Sequence, residues 1–266
     1  SRQNYEYQHA SQKLILAAKD TQLLYRGSPV CQDFGNTNFY YTSCIMNCVF
    51  DCEYCYLKGM YPSANIVIFV NLEDLFACAE HLLETKELYI CVSYDTDLLA
   101  LEGTAGYAAA WSRFAADHPS RLKIEIRTKC ANKRFFESQE PLSNVIYAFT
   151  LSPQAVVERF EHDTPSLTER IACAAKAAEA GFSVRLCFDP MIYVPNWQEH
   201  YTDMLHQVFD FIDVQKLTDV SVGSFRIPKD YLKKMRRQQP ESAAAWFPYQ
   251  IDDGYYHYPD ALMEQM

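Results

Sequence analysis

No apolar run in this chain approaches the roughly 18 residues that a membrane-crossing helix requires. The longest, IVIFV at 66–70, is strand-sized, so no membrane partner is expected. No charged leader with an apolar core opens the chain; a cytoplasmic protein is expected, and Ser1 in place of Met reads as a trimmed start. Positive charge is in deficit. A net charge of −10 argues against binding nucleic acid with the whole surface. Low-complexity linkers and short-period repeats are missing too. What remains is 266 residues, 49% hydrophobic, enough for one core of barrel or open-sheet size or two smaller ones.

Against the overall acidity stand two basic stretches. Residues 226–238 (RIPKDYLKKMRRQ) hold six basic groups against Asp230, and 121–134 (RLKIEIRTKCANKR) hold six against Glu125. Either is consistent with a solvated face. Of ten cysteines, six are scattered singly (Cys31, Cys78, Cys91, Cys130, Cys173 and Cys187), most in apolar patterns where a reduced thiol packs as a small hydrophobe. The other four crowd into TSCIMNCVFDCEYCYLKGMY at 42–61. Scattered reduced thiols plus one dense group point to metal rather than disulfides.

Strand-like and helix-like segments alternate. Strands are predicted at 38–43, 65–71, 87–93, 121–128, 145–151, 182–189 and 218–223. Helices are predicted near 72–84, 105–118, 153–161, 165–180, 197–213 and 228–238. Ser166 and Glu169 make a capping box behind Pro165, and Gly181 ends that helix. Several strands are apolar on one face and polar on the other: Ile124, Ile126 and Thr128 against Lys123, Glu125, Arg127 and Lys129; Val184, Leu186 and Phe188 against Arg185, Cys187 and Asp189; Phe149 and Leu151 against Thr150 and Ser152. An open sheet between two helix layers would be apolar on both faces. One polar face suits a barrel with helices outside and a polar cavity inside, its site at the C-terminal rim.

Cys48, Cys52 and Cys55 form C-x3-C-x2-C in the loop after the first predicted barrel strand. Zinc sites usually draw on two separated ligand pairs, and no second C-x2-C or H-x3-H follows. Three thiolates on a 4Fe–4S cube leave one iron open to a substrate or cofactor. Cys44 could instead complete a four-thiolate zinc site, so a zinc-stabilised nucleic-acid-binding module stays open as an alternative.

With Tyr54 before the last cysteine, this loop resembles the radical S-adenosylmethionine superfamily. Within it the chain is similar to the spore photoproduct lyase family. The matching stretches run in family order across most of 38–240: the cysteine loop, ANIVIFVNLEDLF, VSYDTDLLALEG, RTKCANKRFFE, FTLSPQAVVERFEHDTPSLTERIACAAKAAEAGF and VGSFRIPKDYLKKM. The resemblance implies an α/β fold, a partial (β/α)6 barrel at 37–226, with an N-terminal segment at 1–36 and a C-terminal extension at 227–266 that contacts DNA. It implies a 4Fe–4S cluster on Cys48, Cys52 and Cys55, with S-adenosylmethionine on the open iron. It also implies a 5′-deoxyadenosyl radical that takes hydrogen from a thymine–thymine photolesion in DNA, scission of the linking C–C bond, and hydrogen return to leave two thymines. A flavodoxin or ferredoxin as electron donor, a monomeric state and a spore-forming bacterial cell belong to the same expectation.

Carried over residue by residue, the resemblance assigns Tyr54 to the adenine and Tyr56 to the hydrogen-return relay. Thr96, Asp97 and Lys129 fall to the methionyl group, Thr150 and Ser152 to ribose and methionyl contacts, and Arg226 to the substrate. The family's donor cysteine is replaced here by Tyr94, in Ser93-Tyr94-Asp95-Thr96-Asp97. An all-tyrosine relay of Tyr94 with Tyr56 and Tyr54 is one outcome. Of the two inward thiols, Cys91 and Cys187, the latter is expected nearer the rim, two residues before Asp189-Pro190. A relative acting on another nucleotide or on a peptide is the rival reading. Lys229, Lys233, Lys234, Arg236 and Arg237 are expected to grip DNA phosphates. Trp246, Phe247, Tyr249, Tyr255, Tyr256 and Tyr258 would stack on bases or pack in the core.

Overall fold

The computed structural model describes residues 8–28 and 31–266, so part of the expected N-terminal segment lies outside the described residues. Six strands form the parallel wall: β1 (Phe39–Thr42), β2 (Leu88–Cys91), β3 (Leu122–Thr128), β4 (Val145–Thr150), β5 (Ser183–Met191) and β6 (Leu217–Ser224). They neighbour one another in chain order, with the short strand Leu24–Arg26 antiparallel on the outer edge of β1. This is the partial (β/α)6 barrel that the resemblance implies, with the parallel strands expected from the alternation.

The side-chain parity decides what each face touches. Ile124, Ile126, Phe149, Val184 and Leu186 are buried against the helical layer. Helix Leu72–Leu83 presents Leu72, Leu75, Ala79 and Leu83 to the core, and helix Leu167–Glu179 presents Leu167, Ile171, Ala174 and Ala178. The Ser166–Glu169 capping box is formed, and Gly181 follows the helix at φ +88°, a left-handed conformation that suits glycine. On the inner face, Arg185 bonds Glu125, the Tyr89 hydroxyl (2.7 Å) and Asp219, and Arg127 reaches Glu125 at 3.2 Å. Arg185, Glu125 and Tyr89 are buried but paired, as buried charge must be, and Arg127 and Asp219 are half-buried at the ends of the network.

Two expectations need correction. The strand predicted at 65–71 is Ile66–Phe69, but it leaves the barrel. It runs parallel to Leu14–Ala17 and antiparallel to Ile45–Met46 in a separate small sheet. Ile45–Met46 opens the cysteine loop, so that loop draws the next strand to itself, and the crossover from β1 to β2 carries a side sheet. The boundary at 226/227 likewise falls inside a strand. Arg226–Pro228 joins Tyr255–His257 and Gln250–Asp252 in an antiparallel sheet, and Ile227, Leu232, Met235 and Tyr258 belong to the main core.

The open flank of the barrel is bridged by residues 31–34. The Gln32 side chain donates to Val222 O (3.1 Å) and accepts from Ser221 Oγ (2.6 Å) on β6, while the Arg185 guanidinium stacks on Phe34 at 3.2 Å. On the rim, helix Lys229–Gln238 packs over the short helix Leu57–Met60. Gly59 is needed there, because a Cβ would meet Tyr231 O at 2.5 Å.

Candidate active site

A cavity of about 510 Å³ opens at the C-terminal rim, a size suited to a cofactor with a substrate. Cys48, Cys52 and Cys55 all line it. Their loop is held from several sides. Glu53 N donates to Phe160 O (2.8 Å), Cys52 pairs with Glu161 in a short antiparallel bridge, and Lys58 is ion-paired to Asp51. Asn47, at φ +66°, donates to Ser63 O (2.9 Å) and Asn65 O (2.7 Å) and fixes the turn into the motif.

Burial raises all three thiols, Cys52 to about 12 despite the nearby Lys129. Left to themselves they stay protonated; a bound cationic centre is what would make thiolates of them. Cys44 is not with them. It is buried on the far side of the loop with Sγ on Val92 O at 3.5 Å, so the four-thiolate zinc arrangement is not assembled. Among the described residues no three Cys, His, Asp or Glu side chains converge on a single-ion site. Three thiols spread over one cavity wall fit a cube, which takes one thiolate per iron.

Beside the cysteines, the expected cofactor residues divide into free and engaged. The Thr96 hydroxyl lines the cavity, buried and without a hydrogen-bond partner, a group left for a ligand to satisfy. Lys129 lines it with Nζ 5.4 Å from the Tyr54 ring, and Thr150 lines it as well. Asp97 faces the cavity, yet its carboxylate already accepts from Thr128 Oγ1 (2.8 Å), Lys129 N (2.7 Å) and Ala100 N (3.1 Å). It clamps the ends of β2 and β3 together. Ser152 is a correction: it does not line the cavity, and its hydroxyl donates to Glu161 at 2.8 Å.

Glu161 and Arg170 escaped the sequence reading. Both are fully buried and paired at 2.6 Å, and Glu161 also accepts from the Tyr54 hydroxyl. Burial pushes the Glu161 carboxyl up, but Lys129, Arg170 and the hydrogen bonds from Tyr54 and Ser152 outweigh it and hold it below its usual value. A glutamate in FEHDTP carries no pattern of its own; its partners come from four separate segments.

The same cavity holds the relay candidates. Tyr94 lines the cavity, its ring 5.7 Å from Tyr56, whose hydroxyl donates to the Tyr94 carbonyl oxygen. The Tyr94 hydroxyl lies 3.8 Å from Cys31 Sγ, and Cys31 also lines the cavity. Sequence order hid Cys31, because the Gln32 tether to β6 brings it there. Access to the cavity runs opposite to the expectation for the two barrel thiols. Cys91 lines the cavity, whereas Cys187 is fully buried and outside the lining. Cys187 stands in register with Thr150, the last residue of β4, so it is its complete burial and not its depth that separates it from the cavity.

At the cavity mouth Arg226 is paired with Asp189 at 3.2 Å. On helix Lys229–Gln238, Lys233, Lys234 and Arg237 are exposed. Arg236 is not offered to solvent in the same way: it donates to Ala245 O (2.8 Å) and lies against Trp246 and Tyr256. Of the aromatic tail, Phe247, Tyr249 and Tyr258 pack with Phe225, Tyr255 lines the cavity, and Trp246 is exposed.

Six parallel strands, a rim loop with three cavity-facing cysteines and an unsatisfied hydroxyl beside them define a radical S-adenosylmethionine partial barrel. Comparison with known proteins narrows this. The chain belongs to the spore photoproduct lyase family, whose model matches residues 5–242. Spore photoproduct lyase of Clostridium acetobutylicum is 26% identical over 180 residues, covering 65% of this chain and 52% of that protein. The lyase of Bacillus subtilis is 20% identical over 208 residues, covering 76% and 58%. The chain thus spans little more than half the length of these relatives. Among solved structures, spore photoproduct lyase complexed with dinucleoside spore photoproduct superposes with a TM-score of 0.79 at 18% identity, covering 95% of this chain and 76% of that one. A variant of the lyase with bound AdoMet and dinucleoside spore photoproduct gives 0.80 at 19%, with the same coverage. At such identity these structures establish the fold.

Proposed function

We propose that this chain repairs DNA by converting the thymine–thymine spore photoproduct to two thymines. The observation that carries the reading is one cavity lined both by three cysteines and by a thiol–phenol pair, Cys31 and Tyr94. Cys48, Cys52 and Cys55 would hold a 4Fe–4S cluster, and Thr96, Lys129 and Thr150 would hold S-adenosylmethionine. When bound, this pair supplies a primary carbon radical able to take hydrogen from the lesion.

The chain's own residues then do three things. The barrel wall keeps water and stray C–H bonds from the radical and positions the lesion within reach. Cys31 returns a hydrogen atom to the thymine radical left after C–C scission, becoming a thiyl. Tyr94, 3.8 Å away, restores the thiol by giving up its phenolic hydrogen, and Tyr56 extends the relay toward the cluster side. Cys31 thereby supplies the thiol that Tyr94 lacks. Lys233, Lys234 and Arg237 contact phosphates of the damaged DNA. A lesion unstacks more readily than an intact pair, which helps it enter the cavity. The electron donor is a flavodoxin or ferredoxin, and the protein works in the cytoplasm as a monomer.

Anaerobic turnover on a lesion-bearing dinucleotide with S-adenosylmethionine and reductant tests this. Release of thymine residues in step with 5′-deoxyadenosine is expected. Deoxyadenosine without restored thymine would instead favour a radical enzyme for another nucleotide or a peptide.

A further inference from the structure

A stack of tyrosines leads away from the relay. The Tyr94 ring lies on Tyr41 with centroids 4.1 Å apart and planes 26° from parallel. Tyr41 lies on Tyr25 at 5.1 Å and 15°. Tyr94 and Tyr41 line the cavity; Tyr25 does not, and sits half-buried on the barrel's outermost strand, in register with Tyr41. The three rings therefore form a continuous path from the cavity to the edge of the sheet. Ring stacking alone needs no hydroxyl at these positions, and each of the three half-buried rings carries one whose partial desolvation costs stability.

We propose that Tyr94, Tyr41 and Tyr25 form an exit through which a radical left on the relay leaves the cavity and is quenched at the surface by a soluble thiol. The proposal rests on the repair reading above. Each step is a balanced hydrogen-atom exchange. Tyr41 O–H breaks as Tyr94 O–H re-forms, leaving the Tyr41 phenoxyl. Tyr25 O–H then breaks as Tyr41 O–H re-forms. Finally a thiol RSH gives its hydrogen to the Tyr25 phenoxyl, and two thiyls combine as RSSR. Burial raises the Tyr41 and Tyr94 phenols above their ordinary value, so both hold the proton that such an exchange carries. Lys19 Nζ, 4.9 Å from the Tyr25 ring centroid, disfavours a ring cation there and so favours moving proton and electron together. A radical that escapes cannot be handed back toward the cofactor, so the exit sets how many repairs follow from each cofactor consumed.

Tyr41→Phe and Tyr25→Phe keep the rings stacked and remove only the O–H. In anaerobic turnover of the full chain on lesion dinucleotide with added thiol, S-adenosylmethionine consumed per lesion repaired should fall severalfold in both. Its dependence on thiol concentration should disappear. A nitroso spin trap mapped by mass spectrometry should mark Tyr25 in the wild type and residues of the cavity wall in Tyr41→Phe. An unchanged ratio with no adduct on Tyr25 overturns the exit while leaving repair intact. No thymine released by the wild type overturns the repair reading, and trap mapping with cofactor and reductant alone still decides the exit.

Discussion

Two stretches of the cavity wall, one around the cysteines and one around Tyr94, are built differently. On the cysteine wall the neighbouring carboxylates are saturated: Asp97 accepts from Thr128, Lys129 and Ala100, and Glu161 is held by Arg170, Tyr54 and Ser152. On the relay wall, rings stack and a thiol meets a phenol at 3.8 Å, with few hydrogen bonds to fix them. A cluster site needs rigid geometry before anything binds, which many directed bonds supply. A hydrogen relay needs O–H and S–H bonds free to break, and close packing leaves the Tyr94 hydroxyl facing, among the described residues, only the Cys31 thiol, while the Tyr56 hydroxyl is held by the Tyr94 carbonyl.

The comparison can be broken from either side. The largest effect is expected on the cysteine wall: Cys52→Ala should abolish cluster assembly, read as loss of iron, sulfide and brown colour after anaerobic reconstitution. Next, Glu161→Ala should leave Arg170 buried without its counter-charge and destabilise the fold by about 3–5 kcal/mol, measured by denaturant unfolding. Because the Glu161 carboxyl is held below its ordinary value, its contribution is present above the unfolded value and lost as pH falls through the folded one. The stability difference between wild type and Glu161→Gln should therefore shrink in acid.

On the relay wall, Cys31→Ala should leave cofactor cleavage in place but cut restored thymine roughly tenfold, with side products appearing by chromatography. Tyr94→Phe should show a smaller loss, and Cys187→Ala no change in product distribution, since that thiol does not reach the cavity. The smallest effect should follow charge reversal at Lys233 and Lys234. It should weaken binding to lesion DNA and flatten its salt dependence while sparing turnover of a dinucleotide. Equal losses on both substrates would remove these lysines from phosphate contact.

Much of the cysteine wall was legible in order of residues alone, because its ligands lie within eight positions and the parity of β3 places Lys129 and Arg127 inward. The capping box at Ser166 and the alternation of strands and helices were legible for the same reason, being local. Cys31 was not, since it meets Tyr94 across 63 residues through a loop anchored by Gln32. Nor was it legible that Cys91 lines the cavity while Cys187 does not, which depends on the packing around each thiol. Ser152 looked like a cofactor contact by position, but Glu161, brought in from the next helix–strand unit, takes its hydroxyl.

By itself the order of residues determined the parallel barrel, its polar interior and the three-thiol loop on its rim, because helix period, strand alternation and ligand spacing all act within a few residues. Only the tertiary structure decided which thiol faces the substrate space, which carboxylates are already engaged and that a row of phenols runs out to the sheet edge. Those depend on strand stagger and on contacts between distant segments, where close packing and the pairing of buried charge select one arrangement among many that the local pattern allows.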